Sequence, residues 1–282
     1  MSKKHQTTRS PLKAKPVRTP GQSLQQARID LFFDKLILPF TITLVLFIMT
    51  LIKWYEEWSG MQTSPWSWSI LFAAALLFLG YRLLKLIPHV KKLRFAEEGE
   101  KIVGQYLERL REQGFQVFHD IIGDGFNIDH VLIGPAGVFT VETKTWSKPA
   151  KGETKIMFDG EKLTAWGREP DRNPLIQARA QTGWLKALLE ESTGQATTVR
   201  PVILFPGWYI ENTGKEPNAP WVLNPKALPA FLKNAPVRLE PSQIAQLSLH
   251  LSRFIRCSEV EREQARRSMF RSDKGPGSQL GL

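Results

Sequence analysis

Two stretches near the N-terminus, residues 36–52 and 65–81, carry no charged residue, and each is 17 residues long. Beyond them the pattern changes. Between 96 and 113 the apolar residues Ile102, Val103, Tyr106, Leu107 and Leu110 recur at helical spacing, and Gly114 supplies a stop. Strand-like runs follow at 115–122, 128–133 and 138–144, separated by Gly123-Asp-Gly125 and Gly134-Pro-Ala-Gly137. Residues 155–166 read as a hairpin around Asp159-Gly160. Pro174 sits in the first turn of a helix that runs to about Glu191 and is closed by Ser192-Thr-Gly194. A strand at 198–205 comes next, then peripheral helices at 225–232 and 241–255. Helix, three strands, helix, strand predicts an α/β core with a mixed sheet. From Glu259 the chain is charged and then rich in Gly, Ser and Pro, which reads as a disordered tail.

The uncharged stretches are at the short end of what spans a bilayer. Trp54, Trp58, Trp66, Trp68 and Tyr81 gather at their ends, as interface aromatics do. A pair of buried core helices would show the same composition, but no amphipathic partner lies nearby, and a membrane hairpin is the expected reading. Thirty-five residues precede the first stretch and no small-x-small site follows it, unlike a cleavable signal peptide. Residues 1–35 hold eight Lys/Arg and residues 82–94 five, whereas the connector 53–65 has Lys53 against Glu56 and Glu57. The positive-inside rule then places both termini in the cytoplasm. The expectation is a multi-pass protein of the inner (plasma) membrane with its globular part cytoplasmic.

Charge sharpens this division. Residues 1–94 contain 14 Lys/Arg and four Asp/Glu, a net +10 of the chain's +11. The remainder is nearly neutral, so the overall basicity serves topology and anionic lipid, not a general nucleic-acid footprint. Local patches at Lys148, Lys151 and Lys155, or at Arg168, Arg172 and Arg179, could contact nucleic acid or be ordinary solvated surface. Trp146, Trp166 and Trp184 could stack on bases, with burial the plainer use. The single cysteine, Cys257, fits a reducing compartment and a packing role. The five histidines show no metal-ligand spacing, and His130 should point away from its neighbour Asp129 into the core.

Asp129, Glu142 and Lys144 carry the chemistry. Residues two apart on a strand share a face, so Glu142 and Lys144 project together. Two carboxylates can hold a hard cation through oxygen, and an ammonium beside them can orient water or stabilise charge on a phosphate. Strand-end charges joined in a solvated salt bridge would give the same bare pattern. Glu100 lies on the apolar side of its helix, an odd place for a solvated acid. Gln177 could turn its amide to the acids, cap the Pro174 turn or bond a strand backbone.

From about Phe95 to Phe205 the chain resembles the NERD (nuclease-related) domain of the PD-(D/E)xK restriction-endonuclease-like superfamily. The matching pieces are Glu98-Gly-Glu100, Val117-Phe-His-Asp-Ile121, Asn127-Ile-Asp-His130, Gly134-Pro-Ala-Gly-Val138 and Val141-Glu-Thr-Lys144. They continue through Trp166, Asn173-Pro-Leu-Ile-Gln177 and Pro201-Val-Ile-Leu-Phe205. The glycine that often follows the family's lysine closely is displaced here to Gly152. The resemblance implies a restriction-endonuclease-like fold with Asp129, Glu142 and Lys144 as the active site and Glu100 and Gln177 as accessories. It further implies Mg²⁺, or Mn²⁺ in its place, on Asp129, Glu142 and Glu100.

The domain map expected is a disordered basic arm over 1–35, a transmembrane hairpin within 36–85, a NERD-like domain over 95–258 and a disordered tail over 259–282. The function expected is hydrolysis of phosphodiester bonds in nucleic acid, DNA ahead of RNA, by a membrane-anchored protein. Cutting both strands would call for a homodimer, for which no residue pattern speaks. The competing reading, from another class, is a catalytically silent domain that binds or scaffolds at the membrane.

Overall fold

The computed structural model describes residues 18–272 except 62, 149–154, 166, 171, 215, 217 and 218. The arm before residue 18, Lys151, Gly152, Trp166 and the tail after 272 lie outside the described residues. The chain divides into two compact units. One is Gly21–Ile102, and the other is Val103 onward together with the segment that ends at Pro20.

The first unit contains α1 (Gln22–Trp58) and most of α2 (Trp66–Glu108). Both helices are long and apolar enough to cross a membrane. Their large side chains face outward, with Leu38, Leu77 and Leu84 exposed, which is not the habit of a buried core pair. The helices touch through Phe47 and Phe72, 5.3 Å between ring centroids, and through Trp54 and Trp66 at 5.5 Å. In the same unit Glu97 pairs with Lys101 at 2.6 Å and Arg28 at 3.2 Å.

These helices are longer than the uncharged stretches. α1 begins at Gln22, so residues 22–35 are helical and not a disordered arm. The segment Gln22 to Lys35 contains neither Gly nor Pro, and its Gln, Leu, Ala, Arg and Lys residues hold a helix well. Likewise α2 passes through the basic segment 82–94 without a break. Pro88 is the sole proline within it and kinks a helix locally more often than it ends one.

The second unit is α/β. A five-stranded sheet has the order β1-β2-β3-β6-β8, from β1 (Gln116–Ile122), β2 (Asn127–Gly134), β3 (Gly137–Thr143), β6 (Val199–Leu204) and β8 (Trp221–Leu223). β1, β2 and β3 form an antiparallel meander, whereas β6 joins β3 in parallel and β8 joins β6 in parallel, so the sheet is mixed. A second sheet, ordered β5-β4-β7, combines the expected hairpin β4 (Lys155–Phe158) and β5 (Leu163–Ala165) with β7 (Tyr209–Asn212). The short strands β7 and β8 lack the period-2 pattern that would have revealed them.

Every residue of β3 is buried, because both faces of the main sheet are covered. On one face Leu132, Phe139 and Val141 pack with Val103, Leu107 and Leu110. On the other, Val131 and Val138 pack against Leu185 and Leu189 of α3 (Pro174–Thr193) and Leu247 and Leu251 of α5 (Pro241–Ser272). Asn173 caps α3 by accepting from the Leu175 amide at 2.9 Å, with Pro174 in the first position. Gly114 and Gly194 end their helices in the left-handed region, at φ 83° and 67°. The short helix α4 (Leu228–Asn234) precedes α5.

Two expectations for the C-terminal part are corrected. α5 continues to Ser272, so 259–272 is helix and not a disordered tail. Its Glu, Gln, Ala and Arg content sustains a helix without an apolar face. Cys257 is exposed on that helix and does not pack. Elsewhere in this unit, Arg18 is buried and reaches Asp120 Oδ2 at 2.8 Å and Glu259 Oε1 at 2.9 Å. Among the described residues Asp120 is the one non-glycine with positive φ, 52°.

Candidate active site

β2 and β3 run antiparallel in the register that sets His130 against Val141. One residue further along that register, Asp129 stands opposite Glu142, and directly opposed residues project to the same face. That face is the α3 side, since Thr140, two residues before Glu142, shares a 2.7 Å hydroxyl contact with Thr182 of α3. The sheet itself therefore brings the two acids together. His130 points to the other side.

Each acid is held by the backbone or by α3. The Thr143 amide donates to Asp129 Oδ2 at 2.7 Å, while the next amide, Lys144, donates to Leu204 O at 2.9 Å and continues the pairing with β6. Glu142 is 3% exposed. Lys144 Nζ donates to its Oε1 at 2.5 Å and Gln181 Nε2 to its Oε2 at 2.6 Å. Lys144 Nζ also donates to Gln177 Oε1 at 2.9 Å. A buried carboxylate costs several kcal/mol to desolvate, and two charge-assisted bonds offset about that. The lysine head remains partly open to solvent, with 23% of its side chain exposed.

Gln181 is the residue that sequence reasoning missed. Besides Glu142 it donates to the Asn127 backbone oxygen at 2.7 Å, so one buried amide ties the start of β2 to the acid of β3. Its own Oε1 is buried without a hydrogen-bond partner. Gln181 lies about one helical turn after Gln177, but that spacing alone does not separate a buried amide from a solvated one. Gln177 itself is exposed at the rim, and its neighbours Ile176 and Ala180 are exposed as well, so the buried edge of α3 runs through Leu175, Ala178 and Gln181.

Glu100 lies on α2 in the first unit and is buried. Among the described residues no group of three or more His, Cys, Asp or Glu side chains is placed to hold a metal ion. The acids that the sheet assembles are Asp129 and Glu142.

Behind the site, His130 is fully buried. Its Nδ1 lies 2.8 Å from His119 Nδ1, and His119 Nε2 lies 2.7 Å from Glu108 Oε1. Burial, aided by the charge of His119, pushes the His130 pKa well below the ordinary imidazole range. Burial also lowers His119, against the pull of Glu108. Both are neutral core groups at neutral pH, as expected for His130 from strand alternation. Trp146 packs on Phe205, with centroids 4.7 Å apart, and Trp184 on Phe126 at 5.3 Å, so both are half-buried against the core. Lys155 is paired with Glu211. Lys148, Arg168, Arg172 and Arg179 are exposed.

The α/β unit thus gathers two acids and a lysine at adjacent strand ends. Residues 96–206 match the model of the NERD, or nuclease-related domain, family, and the chain carries that domain. The PD-(D/E)xK superfamily placement is consistent with it. An uncharacterized protein of Bacillus anthracis is 36% identical over 72 residues, which is 24% of this chain and 34% of that protein. The chain thus matches about a third of that curated relative. The solved structure of Pyrococcus furiosus SfsA in complex with Ca²⁺ is 18% identical, covering 57% of this chain and 54% of that one with a TM-score of 0.22, a likeness too slight to carry an argument.

Proposed function

We propose that the domain is a restriction-endonuclease-like, metal-dependent phosphodiesterase acting on nucleic acid, DNA ahead of RNA, from the cytoplasmic side of a membrane. The observation that supports this most is the pairing of Asp129 with Glu142 on one sheet face, with Lys144 bonded to Glu142 and Gln177. The donor set fits a hard divalent cation. Both acids offer oxygen, and Mg²⁺ is commonly bound by one or two carboxylates with water and substrate phosphate completing its shell. Asp129 and Glu142 would hold Mg²⁺ or Mn²⁺, and Glu100 is an accessory on the strength of the family pattern alone. When bound, the ion would polarise the phosphate and lower the pKa of water.

The chain's own groups do the rest. Gln181 fixes the Glu142 carboxylate by holding Oε2. Lys144 is aimed by Glu142 and Gln177, and its ammonium would orient the attacking water or stabilise charge on the phosphate. α1 and α2 would anchor the domain, with both termini cytoplasmic by the Lys/Arg bias of residues 1–35 and 82–94.

The test is calorimetric titration of Mn²⁺ and Mg²⁺ into the full chain in detergent micelles, with and without DNA, followed by cleavage assays on labelled duplex DNA, single-stranded DNA and RNA. Saturable metal binding lost in Asp129→Ala, together with strand cleavage, supports the reading. A folded chain that binds no metal with or without nucleic acid refutes it and favours the silent scaffold.

A further inference from the structure

A cavity lies at the opposite end of β3 from the acids. It encloses about 450 Å³ between the starts of β3 and β6, β8, and α4, inside the range of roughly 300–1,000 Å³ typical of small-molecule sites. Phe139 and Glu142 project from opposite faces of β3, and three residues of strand put them about 10 Å apart along it. The cavity is therefore separate from the candidate active site.

Its lining has an uncommon composition. Arg200 and Arg238 both face it, and no acidic side chain lines it among the described residues. Arg200 lies over the Trp221 ring at 5.2 Å, with its Nη1 3.4 Å from Ala219 O. Trp221 is stacked on Phe139 at 5.3 Å and meets the edge of Phe231 at 5.4 Å. Phe231 is 40% exposed, so its ring still offers free surface. Asn234 adds an amide at the rim. Burial and the neighbouring Arg238 charge both lower the pKa of Arg200. Both guanidinium groups line the same cavity, where like charges repel, and a bound anion would relieve that repulsion.

Guanidinium forks match phosphate oxygens two at a time. Aromatic surfaces beside them accept a planar ring by stacking, whatever its sequence identity. We infer that this cavity binds a nucleoside monophosphate unit, with Arg200 and Arg238 on the phosphate and the exposed Phe231 ring, braced by the edge of Trp221, on the base. Such a unit reaches the cavity either as a free nucleotide or as the phosphorylated end of a strand. The inference goes beyond the phosphodiesterase reading and does not depend on it.

The experiment uses the full chain in detergent micelles with EDTA, which removes cation-dependent binding at the acids. AMP, adenosine, inorganic phosphate and a 5′-phosphorylated oligonucleotide are titrated by calorimetry. AMP should bind once per chain and adenosine should not compete. Arg238→Ala, at an exposed position, should weaken AMP binding at least tenfold with unchanged melting temperature, and Phe231→Ala should weaken it several-fold in a chain that still unfolds cooperatively. Glu142→Gln should leave AMP binding untouched. Competition by the oligonucleotide identifies a strand end as the source, and its absence a free nucleotide. No AMP binding by the folded wild-type chain overturns the proposal. So does binding that survives both cavity variants or disappears with Glu142→Gln, which would put the nucleotide at the acids.

Discussion

Replacing Gln181 with Leu tests how the candidate site is held. The substitution keeps side-chain volume close to the original and removes both bonds from Nε2, to Glu142 Oε2 at 2.6 Å and to Asn127 O at 2.7 Å. A hydrogen bond to a charged acceptor contributes about 1.5–3 kcal/mol, and a buried backbone carbonyl left unpaired costs about 1–3 kcal/mol. Against this, the variant also removes Oε1, which is buried without a partner, and so recovers roughly 1–2 kcal/mol. The net destabilisation is about 2–4 kcal/mol, equivalent to a fall in melting temperature of roughly 5–15 °C for a domain of this size. The assay is thermal unfolding of the full chain at neutral pH, followed by tryptophan fluorescence. Gln181→Glu should be worse than Gln181→Leu, since it sets a second carboxylate against Glu142, and added Mn²⁺ should narrow the gap between them. A Gln181→Leu melting temperature within 1–2 °C of wild type would refute the reasoning, because a lock worth less than about 0.5 kcal/mol fixes nothing.

Other outcomes follow from the same geometry. Glu142→Gln should keep the fold and reduce strand cleavage by roughly 10²–10³-fold or more, the loss seen when one preorganised electrostatic group is removed; an unchanged cleavage rate would take the residue out of the mechanism. His119 and His130 have folded pKa values below the unfolded one, so the unfolded chain takes up the protons first. Their contribution is therefore complete above about pH 6.5 and is lost as pH falls from there through the folded values. Melting curves between pH 7.5 and 5 should show this decline, and His130→Asn should flatten it. Arg18→Met leaves the Asp120 carboxylate buried without its guanidinium and should destabilise by about 3–5 kcal/mol, read by the same melting assay. Cys257, exposed on α5, should react fully with a thiol reagent under native conditions.

Much of this arrangement was legible in the amino-acid sequence because it depends on local rules. Strand alternation put Glu142 and Lys144 on one face and turned His130 from Asp129. Gly114, Gly194 and Pro174 marked helix ends because left-handed backbone and a missing amide each suit one place in a helix. The unread parts are of two kinds. α1 and α2 overran their uncharged stretches, since charge density marks the apolar length of a helix and not its end. Gln181 escaped because a single polar residue on a helix declares nothing until the strand beneath it is known. The same is true of β7 and β8, whose short sequences pair only because β4 and β6 offer them edges.

The division of the site between strands and a later helix also sets an order of events during synthesis. Asp129, Glu142 and Lys144 belong to a meander of near neighbours, which forms from local contacts. The amide that locks Glu142 follows it by 39 residues, and β6, which pairs with β3, comes later still. A chain emerging from the ribosome therefore exposes its acids well before Gln181 has left the exit tunnel. Until α3 docks, the Glu142 carboxylate lacks one of its two donors and the lysine lacks Gln177. Truncated or stalled chains that end before α3 would carry the whole acid–acid–lysine sequence and still lack the donors that order it, so an ordered site needs a chain that extends at least through α3.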